Sequence, residues 1–499
     1  MKNLEIPYKG FYFNSKFHAI KNFDDQWEVR SPSNLEDTVM RVSSNKSLLK
    51  EVCVAAHKAS TLWKYKSLEE RIGYMEKVKA LFVKNVDVIA KVIARETGKP
   101  LWESTGEAKA LASKITVTIE HSLKLVRTEK IENILPQVTG LTQFKPQGVL
   151  AVIGPFNFPA HLANGHIIPA LLTGNTVIFK PSEKTPATAQ ILTEMFHQAG
   201  LPQGVFNLVQ GQAQLSQSLV EHELVDGVLF TGSYDVGLKI KKQLLNHPSK
   251  ILALEMGGKN SSLVWKDTNI KKAVYENIVA SFITSGQRCS CTSQIFIHES
   301  VYDKFTEAFI KGIANIKIGH WADPVFMGPL IDQQAVSRHL SAQKQAVAEG
   351  GELLLQGKAL ELQHKGHYVG PAVFGFSEYK KTSVYQNSEW FSPQVSLYKV
   401  KDFDQASFII NSSGFGLVAS LFSNDEVLHN KAFLDWKVGL LNINRATTGA
   451  SSRLPFGGLG KSGNHRPSAH FSVQYCTTPV ALLKSDDSFL GSNMTGFSF

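Results

Sequence analysis

The chain has 499 residues, 43% hydrophobic and 19% charged, so it is globular material too long for one compact core, and we expect two or three domains. Its formal charge of +10, from 53 basic and 43 acidic residues, is spread without a long Lys/Arg run, which argues against nucleic-acid binding. Four cysteines make no disulfide framework, no run of eighteen apolar residues occurs, and residues 1–5 contain no apolar signal core, so we expect a cytoplasmic protein outside the membrane.

The first elements that the sequence predicts are helical. Ser67 and Glu70 have the spacing of a capping box, and apolar residues then recur at helical intervals until Gly98 ends the pattern. This spacing predicts a helix over 67–97. The segment 101–123, rich in Ala, Glu and Lys, predicts a second long helix. We therefore expect an α-rich opening before any buried strand.

Short apolar runs separated by amphipathic stretches fill the middle of the chain. Such runs are typical of parallel strands that are buried on both faces. They lie at 148–153, 176–179, 205–209, 227–230 and 251–254. They predict a doubly wound α/β domain.

A second α/β set begins at Ala273. Its candidate strands are 294–297 and 439–443. No repeat and no low-complexity linker interrupts the chain, so we expect the domains to pack closely. The polar tail after Lys484 is expected to be loosely ordered.

A thiol and a carboxylate point to covalent catalysis. The segment 286–291 (GQRCSC) offers Cys289 and Cys291, and Glu255 precedes it by about thirty residues at the end of an apolar run. A thiol can trap a carbonyl as a thiohemiacetal, and a carboxylate can activate the water that releases the product. From these residues alone, each cysteine could instead be inert core. Glu255 could be a strand-end cap or a base whose pKa is raised by burial.

Three nearby features bear on this chemistry. Arg288 could favour the thiolate of a neighbouring cysteine. Two cysteines one residue apart, without a second pair or a His cluster, make a poor zinc site, so no metal is expected. Asn157, in 155–159 (PFNFP) just beyond a predicted strand, is a suitable amide donor to a developing oxyanion, although taken singly it is more often a turn residue.

Two segments that follow predicted strands have the character of dinucleotide-binding turns. In 231–237 (TGSYDVG), backbone amides at a strand-to-helix turn could approach a pyrophosphate, but the spacing is not G-x-G-x-x-G and a packing turn is an equal alternative. In 180–183 (KPSE), Glu183 could bond ribose hydroxyls and would disfavour a 2′-phosphate. The second segment therefore favours NAD over NADP, and its alternative is a polar helix start.

Six segments occur in one order across most of the chain: 155–159 (PFNFP), 180–183 (KPSE), 230–233 (FTGS), 254–258 (LEMGG), 286–289 (GQRC) and 455–458 (PFGG). Together they resemble the aldehyde dehydrogenase superfamily. The resemblance implies an α/β fold in three parts: a doubly wound NAD-binding domain (1–123 and 145–254), an α/β catalytic domain (255–448) and a small β extension for oligomerisation (124–144 and 449–499). It also implies a homodimer or homotetramer.

The resemblance assigns roles to individual residues. It makes Cys289 the nucleophile in preference to Cys291, Asn157 the oxyanion donor and Glu255 the base that activates water. For NAD it implies a set of binding residues along the chain: Lys180, Ser182, Glu183, Gly232, Ser233, Gly237, Glu389 and Phe391. One departure is Ser392, where the family commonly has glycine, and it could stiffen or shift the nicotinamide-side loop.

The substrate implied by further segments is a small acidic semialdehyde. The most specific of them, 462–469 (SGNHRPSA), resembles family members with such substrates. A dicarboxylate substrate needs cationic lining, and five cationic residues lie near the motifs: Arg288, Arg445, Arg453, His465 and Arg466. Three alternatives stay open: a CoA-acylating enzyme without need of Glu255, a dinucleotide-binding protein that has lost catalysis, and a polyanion binder.

Overall fold

The structure is a computed structural model, and it describes residues 4–486 and 495–497. The strands are β1 (Phe11–Phe13), β2 (Lys16–His18), β3 (Asp25–Ser31), β4 (Asn34–Ser44), β5 (Glu129–Leu135), β6 (Val138–Pro146), β7 (Val149–Ile153), β8 (Thr176–Lys180), β9 (Phe206–Leu208), β10 (Gly227–Thr231), β11 (Ile251–Glu255), β12 (Asn260–Val264), β13 (Thr292–His298), β14 (Glu352–Leu355), β15 (Ala372–Phe376), β16 (Gln394–Val400), β17 (Phe415–Gly416), β18 (Val418–Phe422), β19 (Leu440–Ile443), β20 (Pro455–Phe456), β21 (Leu459–Gly460), β22 (Ser468–Ala469) and β23 (Thr477–Ser485).

The helices lie between these strands. They are α1 (Leu49–Trp63), α2 (Leu68–Lys84), α3 (Val86–Thr97), α4 (Leu101–Glu120), α5 (His161–Leu172), α6 (Pro186–Gln198), α7 (Ala213–Glu221), α8 (Tyr234–Gln243), α9 (Ile270–Phe282), α10 (Tyr302–Ile313), α11 (Gln333–Ala348), α12 (Val384–Asn387), α13 (Phe403–Ser412), α14 (Glu426–Asp435) and α15 (Ser472–Tyr475). Short 3-10 turns occur at Lys46–Leu48, Ser122–Val126, Ile283–Gly286 and Glu299–Val301.

The first sheet has the strand order β11-β10-β7-β8-β9-β1-β2, and its strands from β11 to β9 are parallel. Successive side chains of a strand point to opposite faces. Along β7, Leu150 and Val152 therefore join a core with α2, α5 and α6, whereas Val149 and Ala151 join a second core with α1 and α7. Helices on both faces explain why these strands are apolar throughout, and the predicted doubly wound domain is confirmed.

The prediction of an α-rich opening is wrong, because four strands precede α1. The β1 strand is completely buried, pairs with β9 and makes a hairpin with β2. The two residues of its turn, Asn14 and Ser15, have positive φ values of 49° and 58°, as tight hairpins require. A three-residue strand is too short for its hydrophobic pattern to be recognised in the sequence.

The predicted helix over 67–97 is two helices. The predicted capping box is present at the start of α2, since Ser67 accepts from the Glu70 N–H and Glu70 accepts from the Ser67 N–H. The break lies at Asn85, whose backbone leaves the helical region (φ −109°, ψ 18°). Its side-chain amide donates to the Leu81 carbonyl at 2.8 Å, and the same carbonyl also accepts from the Asn85 backbone N–H at 3.0 Å. Apolar spacing continues through the break, so the pattern alone conceals it.

The second sheet has the order β14-β15-β16-β13-β12-β18-β19 and is parallel except for β14. It too has a core on each face, one with α9 and α10 and the other with α11, α13 and α14. A third sheet, β23-β6-β5, joins the C-terminal strand to the segment before β7. After completing the second sheet, the chain therefore returns to the segment that precedes β7.

No helix within residues 4–486 and 495–497 has the length and apolar character needed to cross a membrane. The predicted loose tail after Lys484 falls mostly on 487–494 and 498–499, outside the described residues.

Candidate active site

The segment 286–291 leaves α9 through a strained turn. Thr284 and Ser285 have φ values of 55° and 54°, a region that costs non-glycine residues about 1–2 kcal/mol each. Gly286 has a φ of 70°, and a Cβ there would overlap the Ser392 carbonyl group. Only glycine therefore allows the thiol-bearing segment to approach the loop that contains Ser392.

Cys289 and Cys291 differ in exposure. Cys289 is partly exposed, whereas Cys291 is buried and its Sγ lies 3.6 Å from the Ile283 carbonyl oxygen. The Asn260 amide donates to both cysteine carbonyls, at 2.6 and 2.9 Å, and so fixes the backbone between them. Asn260 was missed in the sequence, where it has no motif beyond its position two residues after Gly258. Cys289 is the more accessible thiol.

Burial raises the pKa of the Cys289 thiol, and the carboxylates of Glu389 and Glu255 raise it further. Arg288 lowers this pKa as predicted, but its effect is smaller than the others. The physical reason is its pairing: the guanidinium donates to Glu103 at 3.0 Å and to the Thr284 hydroxyl at 2.7 Å. The predicted direction of the Arg288 effect is therefore confirmed, but burial and the two carboxylates outweigh it, so the net pKa of the thiol is raised.

Glu255 ends β11 and is only 5% exposed. Burial raises the pKa of this carboxyl well above its usual range, which confirms the predicted pKa direction. One oxygen accepts from the Ser468 N–H at 3.2 Å, and the other has no hydrogen-bond partner among the described residues. A buried carboxyl with one bare oxygen is suited to accept a proton from water.

A cavity of about 260 Å³ lies beside Glu255. The 455–459 turn forms one wall, and His465, Arg466 and Pro467 form another. Gly457 approaches the carboxyl closely, since a Cβ there would be 2.9 Å from Glu255 Oε1. His465 and Arg466 are exposed, so the cavity is cationic on its outer side.

Asn157 is 5% exposed and reaches the thiol-bearing segment from the end of β7. Its Nδ2 donates to the Gln287 carbonyl at 2.8 Å, which leaves one amide hydrogen for a further acceptor. The Asn157 carbonyl accepts from Lys99 Nζ at 2.9 Å, and Lys99 forms a buried ion pair with Glu107. Lys99 was missed as a contributor to this site, although it lies in a segment, 95–103, that contains several polar residues.

Lys180 is the last residue of β8, and Ser182 and Glu183 lie in the turn that follows it. Lys180 is buried, and its Nζ lies 3.7 Å from a Glu183 oxygen. Burial lowers the pKa of Lys180, while Glu183 opposes the change. Ser182 accepts from the Lys184 N–H at 3.3 Å, and the Glu183 side chain is 41% exposed. The carboxylate of Glu183 is thus the accessible group of this turn.

The 231–237 turn has clear packing reasons for its glycines. The Gly232 N–H donates to the Glu255 carbonyl at 3.0 Å, so this amide is already used within the protein. A Cβ on Gly237 would overlap the sulfur of Met256. Ser233 begins α8, where its hydroxyl accepts from the Val236 N–H at 3.4 Å. The turn therefore packs β10 against β11 and α8. The N-terminal end of α8 is the part of this turn that is suited to bind an anion.

Glu389 lies against the glycine pair that follows β11. Its Oε1 accepts from the Gly258 N–H at 3.0 Å, and a Cβ on Gly257 would overlap its carboxyl group. Burial raises the pKa of Glu389 to about 7. Phe391 has a φ of 51° and packs edge-on against Phe156, with ring centroids 5.9 Å apart. These contacts bring the Glu389 and Phe391 loop next to the 155–159 segment.

Ser392 is buried and fully hydrogen-bonded. Its hydroxyl lies 3.2 Å from His339 Nδ1 and accepts from the Gln394 amide at 2.7 Å. His339 Nε2 faces the Gly370 carbonyl at 3.2 Å, which can only accept, so Nε2 carries the ring proton and Nδ1 accepts from Ser392. Burial lowers the pKa of His339 to about 4, which keeps the ring neutral. A glycine would lack these bonds, so Ser392 adds a restraint to this loop.

Comparison with known proteins shows the family of the chain. The sequence model of the aldehyde dehydrogenase family matches residues 20–481. A Legionella pneumophila protein named N-succinylglutamate 5-semialdehyde dehydrogenase is 41% identical over 485 residues, which cover 96% of this chain and 95% of that protein.

Solved structures have the same fold. The NAD-dependent aldehyde dehydrogenase from Sinorhizobium meliloti has a TM-score of 0.92 and 25% identity, covering 99% of this chain and 97% of that chain. An NADP-dependent enzyme from E. coli has a TM-score of 0.90 and 27% identity, covering 96% and 98%. Because the match spans nearly the whole sequence and the whole fold, the chain belongs to the aldehyde dehydrogenase family.

Proposed function

We propose that the chain oxidises N-succinyl-L-glutamate 5-semialdehyde to N-succinyl-L-glutamate with NAD, a reaction of arginine catabolism. The observation that carries this proposal is the near-complete match to a relative named for that substrate. A thiol, a buried carboxyl with a raised pKa and an amide donor close to the thiol segment supply the groups that such an oxidation requires.

The steps follow from these groups. Cys289 Sγ loses its proton to solvent water and adds as the thiolate to the aldehyde carbon. The oxygen of the adduct accepts from Asn157 Nδ2 and from the Cys289 N–H, and loss of hydride leaves a thioester on Cys289. Glu255 then takes a proton from water, and the hydroxide breaks the thioester to give the acid and the free thiol.

The residues proposed for the dinucleotide fit its chemistry. The start of α8 offers a positive helix end at Ser233, and Glu183 offers an accessible carboxylate beside buried Lys180. Gly257, which has no Cβ, lets the Glu389 carboxyl lie against the glycine pair after β11. When bound, NAD supplies the acceptor for the hydride that leaves the adduct. Ser182, Gly232, Gly237 and Phe391 complete the proposed binding set.

His465 and Arg466 line the cavity, and Arg445 and Arg453 lie near the site motifs in the sequence, so this set suits a substrate with two carboxylates. Arg445, Arg453, His465 and Arg466 are exposed, and among the described residues none of their side chains forms an ion pair. Arg288 differs, since it is paired with Glu103. We propose that the substrate carboxylates are recognised by members of the exposed set.

The substrate proposal predicts a clear order among three aldehydes. NADH formation should have a kcat/KM at least about tenfold higher with N-succinylglutamate semialdehyde than with glutamate semialdehyde or succinic semialdehyde, worth about 1.4 kcal/mol of transition-state binding. Initial rates with each aldehyde at saturating NAD test this order. Equal values, or preference for another acidic semialdehyde, would contradict the substrate while leaving the reaction class intact. A requirement for CoA in acid formation would contradict hydrolysis.

The cofactor proposal predicts that Glu183→Gln relaxes the preference for NAD. Removing the carboxylate removes its repulsion of a 2′-phosphate, so the ratio of kcat/KM for NAD to that for NADP should fall by about tenfold. Initial rates with both dinucleotides measure this ratio. Glu223→Gln, at an exposed glutamate outside the proposed turns, should leave the ratio unchanged. An unchanged ratio in Glu183→Gln would remove Glu183 from the site.

We further propose the domain division given by the resemblance: 1–123 and 145–254, 255–448, and 124–144 with 449–499. It is supported by the membership of the three sheets, since β7 to β11 lie in the first, β12 to β19, except β17, in the second, and β5, β6 and β23 in the third. We propose a homodimer or homotetramer, and a cytoplasmic setting consistent with four free thiols.

A further inference from the structure

Lys114 is a buried lysine far along the chain from every residue of the proposed mechanism. It lies on α4 and is only 2% exposed. Its Nζ donates to the Ala469 carbonyl at 2.7 Å and to the Ser472 hydroxyl at 3.2 Å. Burial lowers the pKa of Lys114 to about 7, and the neutral amine still has two hydrogens for these two acceptors. A buried lysine is costly to desolvate, so its contacts need an explanation.

The acceptor of Lys114 is a residue with an unfavourable backbone. Ala469 has a φ of 55°, a region that L-residues other than glycine and asparagine seldom adopt. Its carbonyl accepts from two donors, Lys114 Nζ and the Ser472 hydroxyl, the latter at 2.7 Å. These two bonds hold Ala469 in a conformation that its own side chain disfavours.

Ser468, the residue before Ala469, contacts the Glu255 carboxyl. The Ser468 N–H donates to Glu255 Oε1 at 3.2 Å, and the Ser468 side chain also interacts with this carboxyl. The direction of that N–H depends on the β20–β22 pairing, in which Ser468 faces Phe456, and on the bend at Ala469 that ends it. The hydrogen bond from Lys114 to Ala469 and the hydrogen bond from Ser468 to Glu255 thus involve two consecutive residues.

We propose that Lys114 is a positioning residue for thioester hydrolysis: by holding the Ala469 carbonyl, it aims the Ser468 N–H and so orients the Glu255 carboxylate toward the attacking water. This rests on the proposed function, in which Glu255 is the base. The hydride-transfer half of the reaction does not need that orientation. Loss of Lys114 should therefore slow thioester hydrolysis and leave hydride transfer unchanged.

Lys114→Met tests the proposal, because methionine has similar length and no donor. Rapid-quench mass spectrometry with NAD and aldehyde follows formation and decay of the thioester on Cys289 in one experiment. The decay rate should fall by about tenfold while formation changes by less than about twofold. Hydroxylamine, which attacks a thioester without a base, should restore release of the acyl group. Lys109→Met, at an exposed lysine of the same helix, should behave as wild type.

A second substitution separates positioning from general damage. Glycine adopts a positive φ without steric cost, so Ala469→Gly should restore much of the decay rate in Lys114→Met. Ser472→Ala, which removes the other donor to Ala469, should slow decay by a smaller factor and respond to Ala469→Gly in the same way. This pair carries the test if Lys114→Met fails to fold.

Three results would overturn the proposal: decay at the wild-type rate in Lys114→Met, an equal fall in formation and decay, or no recovery with Ala469→Gly in either background. Glu255→Gln in the same assay distinguishes failure of Glu255 as the base from failure of Lys114 as the positioning residue. If Glu255→Gln decays normally, the proposed base is wrong. If it decays slowly while both Lys114→Met and Ser472→Ala decay normally, only the role of Lys114 is wrong.

Discussion

Replacing Cys289 with alanine should lower aldehyde oxidation by at least about 10³-fold, because the covalent route through a thioester loses its nucleophile. The loss should appear in kcat, measured as NADH formation at saturating aldehyde. No acyl adduct should form on the protein, as intact-mass measurement after rapid quenching would show. NAD binding should persist, since the cofactor residues that we propose lie on other segments.

Cys291→Ala is the matched control. Cys291 is buried, and its Sγ contacts a backbone carbonyl, so its loss should leave an activity within about tenfold of wild type and a small loss of stability. Thermal unfolding of both variants shows whether either change acts through the fold. Full activity in Cys289→Ala, with loss in Cys291→Ala, would reverse the assignment of the nucleophile.

Glu255→Gln should slow thioester hydrolysis by about 10²- to 10⁴-fold, the usual contribution of a positioned general base. Glutamine keeps the shape and can still accept from the Ser468 N–H, but it cannot take a proton from water. The first NADH should still form in a burst while steady turnover falls, which stopped-flow absorbance would detect. Loss of the burst to the same extent as turnover would place Glu255 at an earlier step.

The raised pKa of Glu255 gives this prediction a pH signature. Hydrolysis needs the carboxylate, so its rate in the wild type should rise as pH rises through the elevated pKa. For stability the sign is opposite: a carboxyl with a raised folded-state pKa stabilises the fold below its unfolded pKa, near 4.5, and loses that contribution as pH rises. The melting temperature of Glu255→Gln relative to wild type should therefore increase with pH.

Sequence patterns were most successful for elements that are long or uniformly apolar. Helices cover both faces of the first sheet, so its strands β7, β8 and β10 are apolar. Their burial is therefore recognisable in the sequence as short continuous apolar runs. Phe11–Phe13 belongs to the same sheet but was missed, because three residues define no period and the partner strand β9 lies far along the chain. The break at Asn85 was missed because apolar spacing runs through it.

Within the site, motif residues were identifiable but their environment was not. Glu255 could be named as a candidate base with a raised pKa, since an apolar strand that ends in a carboxyl implies burial. Arg288 next to Cys289 suggested an activated thiol, yet its charge is balanced by Glu103 from α4, a residue about 185 positions earlier in the chain. Neighbours in sequence do not determine charge balance in a buried site.

The sequence by itself determined the α/β fold, the family and the candidate thiol, base and amide, because local patterns and ordered motifs carry that information. Only the tertiary structure decided which groups support them: Asn260 on the thiol loop, Lys99 on the Asn157 carbonyl and Lys114 on the Ala469 carbonyl. The physical reason is that hydrogen bonding and desolvation depend on distances of a few ångströms, which long-range packing sets and no local pattern records.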